Sequence, residues 1–446
     1  MPSNEMANTA PSTSRASGTS LVRHLVDGAV IRFLGAALGR TPAGRVHLTL
    51  PSGRNAVVGP VDRDIAAQLV LKNYRVLSKT LRRGPLGFAN SYMAGDVETD
   101  SLLGLFNYYM DSEQALAAAA PDLVRSSWPD RIFHRKRANT RTGSRRNIAA
   151  HYDLGNEFFA LFLDPTMMYS SAIFIHPNMT LEAAQLMRLD HICRKLNLTA
   201  RDHLLEIGTG WGGMALYAAR YYGCRVTTTT LSQAQHKLAT ERVRAARLDE
   251  RITVLLKDYR DLDGRYDKLV SIEMIEAVGH DFYDTYFGKC AALLKADGLM
   301  LLQAITTVDQ RYDAARRSVD FIQRYIFPGS CIPSITAMSD SITRSSDLRL
   351  THLEDIGPHY ATTLRRWREN FFRNIEAVRA LGYPESFIRM WELYLCYSEG
   401  GFEERALGDV QMLLAKPNNR RVPVEPTNET GGSWNVVGLF GNGGEA

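Results

Sequence analysis

The chain has 446 residues, 45% hydrophobic and 23% charged, a globular composition that excludes disorder as its main state and leaves room for two or three domains. Its 53 Lys and Arg against 48 Asp and Glu leave a net charge of +5, too small to argue for nucleic acid by itself. The five cysteines are far apart with no CxxC pair, no uncharged apolar run reaches about 18 residues, and the N-terminus lacks a basic stretch followed by an apolar core; a soluble, cytoplasmic protein with no metal site is expected.

Residues 1–20 are rich in Ser, Thr and Ala, and disorder is expected there. The stretch RVHLTLPSGRNAVVG predicts a hairpin turning at Pro51, Ser52 and Gly53. Helical spacing over 62–83 and again over 102–111 completes a small α+β domain assigned to 21–130. Residues 131–146, RIFHRKRANTRTGSRR, carry seven Arg or Lys and no acid. Such a run is either a solvated linker or a patch for anionic phosphate, and composition does not choose between lipid and nucleic acid. Over 147–416 the chain alternates: helix 181–197, strand HLLEIG, helix MALYAARYYG, strand CRVTTTTLS and helix QAQHKLATERVRAARLDE. Then follow strands RITVLLKD and YDKLVSIEMI, helix FYDTYFGKCAALLKADG and strand LMLLQAIT. Successive βαβ units predict an α/β fold, a doubly wound parallel sheet covered by helices. Residues 417–446, rich in Gly, Asn and Pro, read as a flexible tail.

The run EIGTGWGG, Glu206 to Gly213, closes the first strand of that sheet and opens a helix. Gly208, Gly210 and Gly212 let backbone pass close to a ligand at the carboxyl edge. The spacing differs from GxGxxG and an acid precedes the first glycine, which suits S-adenosylmethionine (SAM), whose amino-acid end is cationic and which has no pyrophosphate to cradle. After the next strand, Thr230, Leu231, Ser232 and Gln235 lie where ribose needs partners, with Gln235 in place of the usual carboxylate. Asp258 and Tyr259 offer an acceptor and an aromatic face for adenine. Taken singly, these are equally well helix caps and turn residues.

The ordered motifs YDLGNEFFALFLDPTMMYSS (152–171), EIGTGWGG, TLSQAQ, KDYRDL, SIEMIEAVGHDFYDTYF (271–287), QRYIFPG (323–329), HYATTL and ELYLCYSEGGF (392–402) resemble the cyclopropane-fatty-acyl-phospholipid synthase and mycolic acid cyclopropane synthase family. The resemblance covers about 145–416. It implies transfer of a methyl group from SAM to a cis double bond of a phospholipid acyl chain, with closure of a cyclopropane ring. A hydride shift before proton loss gives a methylene-branched chain instead, and the resemblance leaves that product open. It also implies SAM contacts at Tyr152, Tyr169, Ser170, the 205–213 loop, 230–235, Asp258 and Tyr259. A bicarbonate base is implied, held by Ser171, Glu276, Gln303, the Ile305 backbone and Tyr360. Ser171 and Ser398 stand where the family has cysteines, and Gln303 where many relatives have histidine. An amide can hold an anion but cannot take its proton near neutral pH.

Glu276 and Gln303 follow or end strands expected to be neighbours, which places both at the cofactor edge. Glu273 is read as lying inside its strand, bonding a neighbouring helix end. Val319, Ile322, Tyr325 and Ile326 recur at helical spacing near Arg316 and Arg317; core packing and an acyl-chain lid both fit. His151, His280 and His359 adjoin motifs but read as surface or capping residues. Peripheral docking on an anionic inner membrane face and a homodimer follow from the resemblance. A nucleic-acid methyltransferase is disfavoured, because no Asn/Asp-Pro-Pro-aromatic motif follows the fourth strand. A non-catalytic lipid-binding relative is the remaining alternative.

Overall fold

The computed structural model describes residues 16–119 except 40, 43 and 63, then 137, 139–141, 143, 144, 146, 147 and 154–420. The chain divides into two compact units, Met1–Arg125 and Ser126–Ala446.

In the first unit a helix, Ala16–Leu38, accompanies a sheet of β1 (Arg45–Thr49), β2 (Asn55–Val58), β3 (Ile65–Leu71) and β4 (Val97–Thr99), ordered β2-β1-β3-β4. The helix covers the end of the stretch expected to be disordered; residues 1–15 lie outside the described ones. β1 and β2 form the expected hairpin, Val46 opposite Val58 and Thr49 opposite Asn55, and Gly53 turns it at φ +88°. The expected helix over 62–83 is corrected: only Arg75–Arg83 is helical, and Ile65–Leu71 is a strand. Ala67 and Leu71, buried and four residues apart, imitate helical spacing, but parallel pairing with β1 and antiparallel pairing with β4 satisfies this backbone. The second expected helix runs on to Ala119.

The second unit is built on a seven-stranded sheet of β5 (His203–Ile207), β6 (Arg225–Thr230), β7 (Ile252–Leu256), β8 (Tyr266–Ile272), β9 (Leu294–Thr307), β10 (Arg349–Asp355) and β11 (Leu407–Ala415). Their order is β10-β11-β9-β8-β5-β6-β7, with β5 to β9 parallel and β10 and β11 antiparallel. The chain winds outward from β5 through β6 to β7, then returns to β8 on the other side of β5. That reversal opens a crevice outside the carboxyl ends of β5 and β8. Helices start where the sequence caps them: Thr180 accepts from the Ala183 N–H ahead of Leu181–Lys195, and Ser232 from the Gln235 N–H ahead of Gln233–Ala245. One apolar core, including Leu205, Leu269, Tyr286, Phe287, Met300, Leu302 and Met412, lies against the helix Tyr283–Leu293.

Three expectations in this unit change. β8 stops at Ile272, because Glu273 takes the left-handed conformation at φ +49° and its N–H donates to Gln303 O at 2.8 Å. β9 begins at Leu294, inside the expected helix, since Leu294 pairs with Tyr266 before the ladder resumes at Leu299. The stripe at 311–329 is two short pieces, a helix Asp309–Ala315 and a π-helical turn Ile322–Ile326, with Val319 and Ile326 buried. The described part of the basic run packs down: Asn139 is buried and donates to Gly329 O at 2.7 Å, while Arg141 pairs with Asp261 at 2.5 Å. Among the described residues no helix is long and apolar enough to cross a membrane.

Candidate active site at the carboxyl edge of the sheet

β5 delivers Glu206 to the crevice. Its carboxyl is buried, burial pushes it up to about 8, and Oε2 has no hydrogen-bond partner. The loop that follows needs its glycines: Gly208, Gly210 and Gly212 carry φ of +103°, +51° and +88°. The Gly208 and Thr209 N–H groups donate to Thr229 O at 3.1 and 3.0 Å, which ties the loop to the end of β6. There, Thr230 Oγ1 donates to Gln235 Oε1 at 2.9 Å, and the Ser232 N–H donates to Thr230 Oγ1 at 3.1 Å. Leu231 is half-buried between them. These side chains therefore brace one another.

Beyond β7, Asp258 lies in a two-pronged pair with Arg260, Nε to Oδ1 at 2.9 Å and Nη2 to Oδ2 at 2.7 Å. Those bonds hold its carboxyl below the usual range despite burial. The Arg260 guanidinium lies over the rings of Tyr259 and Phe282 and donates to Asn139 O. Tyr259, edge-on to Tyr286 at 5.4 Å, keeps a half-exposed face. Tyr152 and His151 lie outside the described residues.

The segment 169–171 crosses to the other side of the crevice. Tyr169 donates its hydroxyl to Tyr394 at 2.9 Å. Ser170 Oγ accepts from Arg188 Nη2 at 2.9 Å. Arg188 is fully buried, also bonds Gln185 Oε1 at 2.8 Å, and leaves Nε and Nη1 unpartnered. The Ser171 hydroxyl turns away to Ala172 O, but its N–H donates to Glu273 Oε1 at 2.8 Å.

Glu273 is the centre of the second half of the site. Oε1 also accepts from Gln303 Nε2 at 2.7 Å, and Oε2 accepts the Tyr360 hydroxyl at 2.6 Å. Gln303 sits fully buried in β9, opposite Gln411 of β11, which donates to its Oε1 at 3.1 Å. The same Gln303 amide reaches Asp409 Oδ2 at 3.1 Å. Burial beside Glu273 raises the Asp409 carboxyl well above its normal range, which favours its protonated form. Glu276, on the turn Ile275–Ala277, accepts the Ile305 N–H on Oε1 at 2.6 Å, leaves Oε2 unpartnered, and is pushed up to about 8 by burial. The glycine loop and this cluster adjoin. A Cβ added at Gly208 would come within 3.4 Å of Met274 Cγ, one residue from Glu273.

The donors that the resemblance gives to a bicarbonate are engaged by carboxylates of the chain itself. The Ser171 N–H, the Gln303 amide and the Tyr360 hydroxyl all serve Glu273, and the Ile305 N–H serves Glu276. No donor of that set is left for a free anion, so the residues present do not fit one. Glu273 itself, expected in a strand interior against a helix end, lies elsewhere because nothing in its sequence surroundings announces a left-handed turn. Asp409, Gln411 and Arg188 escape sequence reasoning, since they join the cluster only through long-range packing. Ser398, half-buried on the helix Glu385–Glu403, makes no hydrogen bond to the cluster among the described residues. His280 bonds the Tyr312 hydroxyl and His359 accepts the Phe174 N–H; both lie apart from the carboxylates.

The family model for mycolic acid cyclopropane synthetase matches residues 139–412. Over 391 residues the chain is 38% identical to a tuberculostearic acid methyltransferase, UfaA1, of Mycobacterium tuberculosis, covering 84% of this chain and 90% of that one. It is 36% identical over 352 residues to the cyclopropane-fatty-acyl-phospholipid synthase of Escherichia coli, covering 78% and 86%. Among solved structures, the mycolic acid cyclopropane synthase CmaA1 complexed with SAH and CTAB superimposes with a TM-score of 0.57 at 33% identity, over 61% of this chain and 98% of that one.

Proposed function

The chain belongs to the mycolic acid cyclopropane synthetase family and is a SAM-dependent methyltransferase; on that premise we propose that it methylates the cis double bond of an unsaturated phospholipid acyl chain and closes a cyclopropane ring. The observation that carries this reading is the contiguity of an unpartnered acid at the end of β5, and the glycine-rich loop after it, with a buried carboxylate cluster. Glu206 Oε2, buried and unpartnered, fits the ammonium of SAM, and the positive-φ glycines leave room for its amino-acid end. Tyr169, Ser170, Thr230, Leu231, Ser232, Gln235, Asp258 and Tyr259 complete the cofactor site.

Bound SAM supplies an electrophilic methyl: the alkene π pair forms the new C–C bond while the S–C bond breaks with its electrons kept by sulfur. The other alkene carbon is left cationic, and the carboxylate cluster stabilises it electrostatically. Ile322 and Tyr325, both half-buried, supply apolar surface for the chain, and the exposed Arg141 and Arg146 of the basic run meet headgroup phosphate at the inner membrane face. A second reading, a methylene-branched product, is supported by the relative named tuberculostearic acid methyltransferase. Incubation with SAM and cis-monounsaturated vesicles, followed by mass spectrometry and NMR of the acyl chains, tests both. Upfield ring protons give cyclopropane and vinylidene protons the branched product; no mass gain beside an active control would sink the proposal.

A further inference from the structure

We propose that the Glu273 carboxylate is the base that removes a proton from the newly added methyl group, standing where a bound bicarbonate would otherwise be held. This role presupposes the methyl-transfer reading above. Three donors from three distant elements converge on the carboxylate: the Ser171 N–H and Gln303 amide at 2.8 and 2.7 Å on Oε1, and the Tyr360 hydroxyl at 2.6 Å on Oε2. Three donors around two oxygens are what a planar oxyanion needs when it is buried without water. The backbone is bent to put it there. Glu273 holds φ +49°, a conformation that side-chain-bearing residues rarely adopt and that clusters at functional sites. An ordinary strand residue would have pointed along the alternation of β8.

The step balances without any further reactant. A C–H bond of the added methyl breaks, its electron pair closes the third ring bond onto the cationic carbon, and the proton goes to a Glu273 oxygen. If a hydride shifts first, to leave the cation on the carbon that bears the methyl, the same pair forms the methylene double bond and the proton has the same destination. The positive charge brought in by the methyl donor thus leaves as the proton. The groups facing Glu273 suit a proton acceptor. Glu276 and Asp409 are acids held towards neutrality, Tyr360 is a neutral donor, and Arg188 is the neighbouring cation. Burial raises the Glu273 carboxyl above its usual range, which makes its ionised form a better proton acceptor than a solvated glutamate.

The test compares wild type with Glu273→Gln and Glu273→Gly in buffer stripped of carbon dioxide, before and after adding bicarbonate. Glycine tolerates φ +49°, so Glu273→Gly opens an anion-sized space among the three donors while relieving the backbone. Wild type should turn over at the same rate with and without bicarbonate. Both variants should lose on the order of 10³-fold in kcat, with SAM binding by calorimetry unchanged as proof of folding. Bicarbonate should restore about 10-fold or more to Glu273→Gly and nothing to Glu273→Gln. Line broadening of 13C-bicarbonate, which needs no turnover, should appear with Glu273→Gly alone. Bicarbonate dependence of wild type, broadening by wild type, full activity of Glu273→Gln, or binding to Glu273→Gly without recovery would each overturn the proposal. Failure of every lipid to react would instead remove the methyl-transfer reading, with the 13C experiment still reporting who fills the anion site.

Discussion

On the cofactor side of the crevice, shape comes from backbone: Gly208, Gly210 and Gly212 hold left-handed angles, and the acid beside them keeps a bare oxygen. On the base side, shape comes from side chains: Glu273, Gln303, Asp409, Gln411 and Tyr360 bond one another across four elements and leave little room. The first half presents an unpartnered acid oxygen, whereas in the second the donors converge on the Glu273 carboxylate.

The two halves should break differently. The largest effect is expected on the cradle: Gly208→Ala puts a Cβ on a residue at φ +103° and 3.4 Å from Met274 Cγ. SAM affinity should fall by roughly 100-fold or more, about the cost of one strained residue plus the displaced loop. Affinity retained within a few-fold would show that the loop does not contact the cofactor. Tyr360→Phe removes one donor from Glu273 and should lower kcat about 10- to 100-fold with SAM binding intact, a split that a merely structural tyrosine would not give. Glu206→Gln should do the reverse, weakening SAM roughly 10-fold through loss of a charge-assisted bond.

A smaller effect concerns pH. Glu206 and Glu276 are each pushed up to about 8 in the folded chain, above the value of about 4.3 for an unfolded glutamate. The folded state therefore holds more protons than the unfolded one between those values, and stability should decline as pH rises from 5 through about 8. Thermal melts of the SAM-free protein should show that decline, shallower in Glu206→Gln; a melting temperature that rises over the same range would refute the burial of both acids. The smallest effect belongs to Arg141→Ala, whose exposed pair with Asp261 contributes about 0 to 1 kcal/mol. Only vesicle binding should respond to it.

The contrast between the halves also explains what can be read from the amino-acid sequence. The cradle is legible because its determinants are local: an acid, three glycines at fixed spacing and a strand-to-helix transition within eight residues. The sheet's winding follows from the same alternation, and β8 beside β9 puts Glu276 and Gln303 at one edge as expected. The base side is not legible. Ser171 lies 102 residues from Glu273, and Gln303 lies 106 from Asp409. Glu273 reads as a strand residue because YDKLVSIEMI continues the apolar run past the point where the backbone turns. In the first unit, likewise, Ala67 and Leu71 carry a helical spacing that only pairing with β1 and β4 resolves into a strand.

The central claim is that a base resident in the chain acts on the transferred methyl itself. It is tested most directly with SAM whose methyl carries three deuterium atoms, given to the wild-type enzyme with cis-monounsaturated vesicles in buffer free of bicarbonate. Acyl product that retains two of the three deuteriums is predicted, whichever of the two products forms. Product that keeps all three would show the proton leaving from elsewhere on the chain, and would contradict the role assigned to Glu273.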